Sequence, residues 1–119
     1  MIIMEKEAEE ILMNIQTQNQ FLQNILMQKQ TLQMQLNELS SALEEVEKTE
    51  DDVYKAVGPI LVKAKKNDVK KELEEAKEDI GLKMKSIEGQ EKKLRDMMKE
   101  TQEKFQKFLP KPEMPKKKK

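Results

Sequence analysis

The stretch that decides the fold is Val53-Tyr54-Lys55-Ala56-Val57-Gly58-Pro59-Ile60-Leu61-Val62-Lys63-Ala64, which separates two long charged segments of the 119-residue chain. Its β-branched and aromatic residues are the types favoured in strands. Gly58 can take a positive φ, and Pro59 lacks the amide donor that a continuing helix needs. We therefore predict a β-hairpin over about residues 53–65, with two short strands of about 53–57 and 60–65.

This hairpin is expected to pair with other subunits. A single hairpin is marginal in water and leaves its strand edges unpaired, so its apolar residues and edges should meet the same element in neighbouring chains. An irregular connecting loop is the alternative, but such a loop would not need so many apolar residues. The residues expected to form the assembly surface are Val53, Tyr54, Val57, Gly58, Ile60, Leu61 and Val62.

The segment before the hairpin carries a heptad repeat. Alternating steps of four and three residues reach Met4, Ala8, Ile11, Ile15, Gln18, Leu22, Ile25, Lys29, Leu32, Leu36, Leu39, Leu43 and Val46. Nearly all of these are apolar, and the segment has no Gly or Pro, which predicts a coiled-coil helix over about residues 5–48. The exceptions, Gln18 and Lys29, either set the register or partner or are solvated imperfections.

The segment after the hairpin follows the same steps less regularly. They reach Val69, Leu73, Ala76, Ile80, Lys83, Ile87, Gln90, Leu94, Met97, Thr101, Lys104 and Phe108. Gly81 and Gly89 weaken a helix, and Met84 and Phe105 fall one position off the steps. This segment predicts a second, looser helix over about residues 68–109.

Local signals define the ends of this second helix. Asn67 or Asp68 is expected to supply the N-cap oxygen, and Pro110, Pro112 and Pro115 prevent continuation. The two helices have similar lengths, so an antiparallel pair would put both chain termini at the end away from the β-hairpin. We expect one mainly α domain over residues 1–119, with a disordered basic tail at 110–119.

Composition excludes several classes of function. The 23 basic and 23 acidic residues cancel, so there is no overall bias toward nucleic acid or anionic membrane. The chain has no His and no Cys, which removes the commonest general base and the best thiol nucleophile. We found no phosphate-binding glycine loop, no signal peptide and no membrane span. We therefore expect a soluble intracellular protein that is not an enzyme and has no cofactor and no metal site.

The quoted hairpin and its flanking residues resemble those of a known family. The matching residues are Val53-Tyr54-Lys55-Ala56-Val57-Gly58 and Ile60-Leu61-Val62-Lys63, with Gln28-Lys29-Gln30 and Leu36-Asn37-Glu38 before them and Lys71-Glu72-Leu73 and Gln90-Glu91-Lys92 after them. Over nearly its whole length the chain resembles the β-class subunits of prefoldin, the ATP-independent chaperone of archaea and eukaryotes. The single hairpin separates it from the α class, which carries two.

The resemblance implies an assembly and a task. It implies a hexamer of two α-class and four β-class subunits, in which the hairpins form a β-barrel platform and the coiled coils extend from it. It also implies that this cytoplasmic complex captures non-native polypeptides at the coiled-coil tips, without nucleotide, and delivers them to a group II chaperonin. Neither nucleic acid nor membrane is among the implied partners.

Surplus apolar residues near both chain ends are the candidates for client binding. They are Ile2, Ile3, Leu12, Met13, Phe105, Phe108, Leu109 and Met114. Some should be exposed or become exposed as the helix ends fray. Methionine suits such a surface because its flexible side chain adapts to varied partners. The alternative is that Met13, Met27, Met34, Met84, Met97 and Met98 fill gaps between the helices.

Two other functions fit parts of the sequence. A purely structural coiled-coil scaffold or spacer would share the periodicity, but it would need neither the hairpin nor the apolar ends. The four terminal lysines, Lys116 to Lys119, could bind nucleic acid, but the neutral helices lack the basic face that this predicts.

Overall fold

Two long helices flank one β-hairpin in the computed structural model, which describes residues 6–108. In chain order the elements are α1 (Lys6–Lys48), β1 (Val53–Val57), β2 (Ile60–Ala64) and α2 (Lys66–Gln106). The predicted order and type of every element are confirmed. The expectations for Met4, Ile2, Ile3, Leu109, Met114 and the lysine tail lie outside the described residues.

α1 ends at a threonine that caps its last turn. The Thr49 amide donates to the carbonyls of Glu45 at 3.1 Å and Val46 at 3.2 Å, and the Thr49 hydroxyl donates to the Glu45 carbonyl at 2.8 Å. These bonds satisfy carbonyls that have no partner at a helix end. The polar stretch that follows, residues 50–52, then leads into β1.

The hairpin turn has the chemistry that the sequence predicted. Val57 pairs with Ile60, so Gly58 and Pro59 form a two-residue loop. Gly58 has a φ of 60°, and no other described residue has a positive φ. A glycine with positive φ followed by a residue with negative φ is the type II′ arrangement, whose twist matches that of the two strands.

The start of α2 differs from the prediction. The Val69 amide donates to the Lys65 carbonyl at 3.1 Å, so the helix begins at Lys66 and Lys65 holds the cap position. The expectation that Asn67 or Asp68 caps the helix is wrong, because only Lys65 separates β2 from the first helical residue. Asp68 instead lies in the first turn, where its carboxylate faces the positive end of the helix dipole.

The end of α2 comes slightly before the predicted residue 109. α2 ends at Gln106, and the next two amides bond three residues back: Lys107 to the Lys104 carbonyl at 3.2 Å and Phe108 to the Phe105 carbonyl at 3.0 Å. Bonds of this kind tighten the last turn of a helix.

The chain divides into two compact units. Unit 2 is Leu26–Gly89 and contains the hairpin. Unit 1 takes α1 up to Ile25 and α2 from Gln90 onward. In unit 2 the helices run antiparallel. Glu47, near the end of α1, contacts Lys70, near the start of α2. Earlier residues of α1 lie beside later residues of α2 in a groove lined by Gln35, Glu38, Leu39, Ala42, Ala76, Asp79, Ile80 and Lys83.

The heptad positions predicted for α1 are confirmed by burial. Every position from Ala8 to Val46 in that series is buried or half-buried. Ala8, Ile25 and Val46 are the most enclosed members. The strict spacing of four and three residues therefore describes the inward face of α1 along its whole described length.

In α2 the predicted positions are wrong in part. Lys83, Gln90, Met97 and Lys104 are exposed, whereas the residue after each is enclosed: Met84, Glu91, Met98 and Phe105 are half-buried. The enclosed series is Val69, Leu73, Ala76, Ile80, Met84, Ile87, Glu91, Leu94, Met98, Thr101, Phe105 and Phe108. From Leu73 to Met84 the steps are three, four and four, an eleven-residue repeat that offsets the drift between a heptad and a straight helix.

Candidate functional site

The hairpin is the most exposed apolar region that the structure describes. Tyr54 is 60% exposed, Ile60 58% and Leu61 72%, and Val57 and Val62 are also exposed. Only Val53 and Ala64, at the base, are half-buried. Large exposed apolar groups concentrated on one short element are typical of an interaction surface.

Both faces of the hairpin carry apolar groups. Alternation along the strands and the register place Val53, Val57, Ile60, Val62 and Ala64 on one face with Lys55, and Tyr54, Ala56 and Leu61 on the other with Lys63. An isolated two-stranded sheet with two apolar faces has no core of its own to cover either one. The geometry therefore leaves both faces available to other chains.

The strand edges are open as well. Because the loop has two residues, Val57 and Ile60 form the hydrogen-bonded pair next to it, and such pairs alternate along an antiparallel ladder. The backbone groups of Tyr54 and Ala56 therefore point away from β2, and those of Leu61 and Lys63 point away from β1. Each edge can accept one further strand.

Salt bridges connect the hairpin to its flanking segments. The Lys55 Nζ donates to both carboxylate oxygens of Glu72 in α2, at 2.7 and 2.9 Å. The Lys63 Nζ lies 2.9 Å from an oxygen of Asp52. These side chains are exposed, so the bridges contribute little free energy to the position of the hairpin.

A third ion pair joins the helices beneath the hairpin. Glu47 of α1 and Lys70 of α2 lie 2.5 Å apart, and the Lys66 Nζ donates to the Glu47 carbonyl at 3.2 Å. The hydrogen bond from Lys70 and its positive charge lower the pKa of the Glu47 carboxyl. The same hydrogen bond and the Glu47 charge raise the pKa of Lys70.

The residues predicted to bind clients are only partly described. Met13 is 65% exposed, whereas Leu12, Phe105 and Phe108 are half-buried. Phe105 belongs to the enclosed series of α2, so the expectation that it lies off the seam is wrong. All four belong to unit 1.

A polar contact joins the two helices within unit 1. Gln18 Nε2 donates to Thr101 Oγ1 at 3.1 Å, and Thr101 Oγ1 donates to the Met97 carbonyl at 2.9 Å. The Gln18 Oε1 is buried without a hydrogen-bond partner. A polar pair at enclosed positions favours one register, so this contact supports the register role for Gln18 over the alternative of solvated imperfection.

The methionines divide between half-buried and exposed positions. Met84 and Met98 are half-buried, as gap-filling residues would be. Met13, Met27, Met34 and Met97 are 65%, 65%, 58% and 51% exposed, so the gap-filling alternative is wrong for these four. Phe21, at 56%, and Leu82, at 61%, are exposed apolar residues that the sequence reasoning missed. The signal that could have identified them is that neither residue falls in the enclosed series of its helix.

Within residues 6–108 no three His, Cys, Asp or Glu side chains are placed to hold a metal ion. No helix of that range is both long and apolar enough to cross a membrane.

Comparison with known proteins gives consistent matches over most of the chain. Residues 9–111 match the family model described as Prefoldin subunit. The prefoldin subunit beta of Archaeoglobus fulgidus is 42% identical over 105 residues, covering 87% of this chain and 90% of the relative. That of Thermococcus gammatolerans is 39% identical over 108 residues, covering 89% and 92%. The crystal structure of the prefoldin beta subunit from Thermococcus strain KS-1 is similar with a TM-score of 0.86 and 33% identity, covering 94% of this chain and all of that one.

Proposed function

Because this chain belongs to the prefoldin family of chaperone subunits, we propose that it captures non-native polypeptides without nucleotide and passes them to a group II chaperonin in the cytoplasm. Family membership implies hetero-oligomeric assembly with other prefoldin subunits. The proposed assembly is a hexamer of two α-class and four β-class subunits.

The exposed hairpin supports the assembly that this proposal requires. Leu61 is 72% exposed and Ile60 58%, on opposite faces of a sheet that is open at both edges. Edge-to-edge pairing of hairpins between subunits would cover both edges, and successive pairing around a ring would close a barrel that has no free edge and encloses one of the two apolar faces. A scaffold that only spaced its partners would not need this surface.

Client capture is assigned to unit 1, which holds the described residues nearest to both chain ends. The supporting observation is Met13, which is 65% exposed, close along the chain to half-buried Leu12. Phe105 and Phe108, also half-buried, lie at the end of α2 in the same unit. Several such ends in one complex would bind one client with useful affinity, because each later contact is effectively intramolecular.

The experiment that tests capture removes residues 1–12 and 105–119 and compares the variant with the full chain, each assembled with an α-class subunit. The deletion should abolish suppression of the aggregation of a denatured protein. Because the hairpin is intact, the mass of the complex measured by light scattering should fall only by the deleted residues.

A variant of full length tests the apolar side chains without removing any residue. Changing Met13, Phe105 and Phe108 to Ser in the full chain should weaken suppression in the same direction. Unchanged suppression in both variants would refute capture at the helix ends and favour the scaffold.

A further inference from the structure

The base of the hairpin carries opposite charges on its two sides. Three acidic residues come directly before β1, and three lysines lie near the end of β2 and just after it. Continuing the register of the strands puts residue 52 beside residue 65 and residue 51 beside residue 66. We call the acidic set the acidic flank and the lysines the basic flank. The acidic flank is Glu50, Asp51 and Asp52, and the basic flank is Lys63, Lys65 and Lys66.

Contacts within the chain neutralise only part of each flank. Asp52 pairs with Lys63 at 2.9 Å, and the Lys66 Nζ donates to the Glu47 carbonyl at 3.2 Å. Among the residues that the structure describes, the flank residues whose side chains form no ion pair or hydrogen bond are Glu50, Asp51 and Lys65. These three line one open hollow of about 660 Å³. Charges of both signs therefore remain available at the base of the hairpin.

The open strand edges limit how a second hairpin can be added. The outward backbone groups belong to Tyr54 and Ala56 on β1 and to Leu61 and Lys63 on β2. When the β2 edge of one copy meets the β1 edge of another and both hairpins point the same way, the two strands are antiparallel. Lys63 then faces Tyr54 of the second copy, and Leu61 faces its Ala56, as two hydrogen-bonded pairs. A shift of two residues leaves only one pair among these four residues, so the level register is favoured.

The level register brings the acidic flank of one copy to the basic flank of the other. Asp52 of the second copy lies opposite Lys65, and its Asp51 lies opposite Lys66, one strand spacing of about 4.8 Å away. Opposite charges at facing positions stabilise a strand pair, and like charges destabilise it. Lys65 and Asp51 thereby gain the oppositely charged neighbours that they lack within one chain.

Contact between like edges does not pair these charges. With antiparallel strands, two β1 edges or two β2 edges put the base of each hairpin beside the turn of the other, Val57–Ile60, which has no charged residue. With parallel strands, they put like charges side by side. Backbone hydrogen bonds do not separate these arrangements, because antiparallel like edges also form two hydrogen-bonded pairs. The flanks are the feature that distinguishes unlike edges from like edges.

We propose that the acidic and basic flanks make the β1 edge of this chain select the β2 edge of a second copy. The partner is the same hairpin, recognised by charge as well as by backbone hydrogen bonds. This inference rests on the proposed function, whose hexamer contains four copies of the chain, and it identifies which edges of those copies meet. Unlike edges keep successive hairpins pointing the same way, so that a row can close into a ring, whereas antiparallel like edges reverse every second hairpin.

Disulfide cross-linking tests which edges meet, because the chain has no cysteine of its own. Two single variants, Lys55→Cys and Val62→Cys, are assembled with an α-class subunit, separately and as an equal mixture, and are treated with oxidised glutathione. In the level register, residue 55 of one copy faces residue 62 of the other as a non-hydrogen-bonded pair. Their Cα atoms are then about 4.5 Å apart, which a disulfide can span.

Each arrangement of edges gives a different linked product. Antiparallel like edges put residue 55 opposite residue 55 of the second copy, or residue 62 opposite residue 62. We expect linked dimers in the mixture that contain one copy of each variant, and none in either separate sample. Mass spectrometry distinguishes the mixed dimer from the two possible dimers of a single variant.

Charge reversal tests the flanks with the same readout. Glu50→Lys with Asp51→Lys, added to the Lys55→Cys copy, should lower the yield of the mixed dimer roughly fivefold, because like charges then meet. Adding Lys65→Glu with Lys66→Glu to the Val62→Cys copy as well should restore the yield, because opposite charges meet again. The control, Glu75→Lys with Glu78→Lys in the Lys55→Cys copy, makes the same change of net charge at exposed positions of α2 and should leave the yield unchanged.

The outcomes separate this inference from the proposed function. Linked dimers of a single variant, no linked dimer in any sample, or a yield that charge reversal does not change would overturn the selection of edges by charge. The unsubstituted complex is tested in parallel for suppression of the aggregation of a denatured protein. Suppression leaves the proposed function standing in each of these cases, and failure to suppress refutes the proposed function whatever the cross-links show.

Discussion

Gln18 is one of two polar residues, with Lys29, in the enclosed heptad series of α1, and the two polar atoms of its side-chain amide have different environments. Its Nε2 donates to Thr101, but its Oε1 is buried without a partner. An unpaired buried acceptor costs free energy, so this residue lowers stability while favouring one register. The sequence identified the position and left its role open, because periodicity does not show which residue lies across the helix pair.

Replacing Gln18 by Leu should raise the free energy of unfolding by about 1 kcal/mol, because it removes the unpaired acceptor and adds apolar contact. The Thr101 hydroxyl keeps its own bond to the Met97 carbonyl, so no donor is left unpaired. Urea unfolding followed by circular dichroism measures the change.

Thr101→Val is the matched variant for this prediction. It removes the acceptor of the Gln18 amide and should lower the free energy of unfolding by about 1 kcal/mol. A larger loss of stability in Gln18→Leu than in Thr101→Val would contradict the conclusion that the unpaired Gln18 oxygen lowers stability.

At the scale of elements, α1 was predicted correctly and α2 only in part, for a physical reason. α1 keeps the strict heptad, so counting from one residue finds every enclosed position. α2 contains one eleven-residue repeat, after which strict counting misses every second enclosed position by one residue, as at Lys83, Gln90, Met97 and Lys104. The sequence does indicate this shift at Met84 and Phe105, because each is apolar and directly follows a predicted position that is occupied by lysine.

Gly89 gives a direct test of how α2 is stabilised. It lies inside the helix, is exposed, and a Cβ added there would meet nothing within 4 Å. Gly89→Ala should therefore raise the free energy of unfolding by about 0.5–1 kcal/mol, because alanine loses less backbone entropy on folding. Thermal unfolding of the full chain measures it.

Gly58→Ala is the control for that substitution. A Cβ there also meets nothing within 4 Å, but the φ of 60° is one that L side chains rarely adopt. The same chemical change should lower stability by about 1 kcal/mol. Equal effects at Gly58 and Gly89 would contradict the account of the turn.

The ion pair between Glu47 and Lys70 predicts a pH dependence with a definite sign. The lowered pKa of Glu47 means that its stabilisation is present above the unfolded value of about 4.3 and is lost as pH falls through the folded pKa. The raised pKa of Lys70 means that its stabilisation is present below its unfolded value of about 10.4 and is lost as pH rises through the folded pKa.

Glu47→Gln should therefore lower the melting temperature slightly at pH 7, and the difference from the unsubstituted chain should disappear in acid. Both side chains are exposed, so high salt should also reduce the difference. Glu44→Gln, which breaks the longer pair with Lys48 at 3.8 Å, is the control and should have a smaller effect at pH 7. A difference that grows in acid would contradict this assignment.

At the scale of the whole molecule, the order of elements and the hairpin register follow from local chemistry. The turn at Gly58 and Pro59 and the β-branched residues beside it suffice to place both strands. The candidate surfaces were less predictable. Exposure of Ile60 and Leu61 follows from the lack of any covering element, but the ion pair of Lys55 with Glu72 depends on how α2 leaves the hairpin.

We conclude that the hairpin drives assembly into a chaperone complex. Light scattering tests this most directly, by measuring the solution mass of the chain alone and of the chain mixed with an α-class prefoldin subunit. The same samples are then tested for their ability to keep a denatured protein soluble. We expect a mixed complex with the mass of a hexamer that suppresses aggregation. We also expect Ile60→Ser with Leu61→Ser to abolish it, since both residues are exposed in the single chain and need a partner to be covered. A stable dimer that binds neither the α-class subunit nor the denatured protein would contradict this conclusion. A hexamer that still forms with the double substitution would also contradict it.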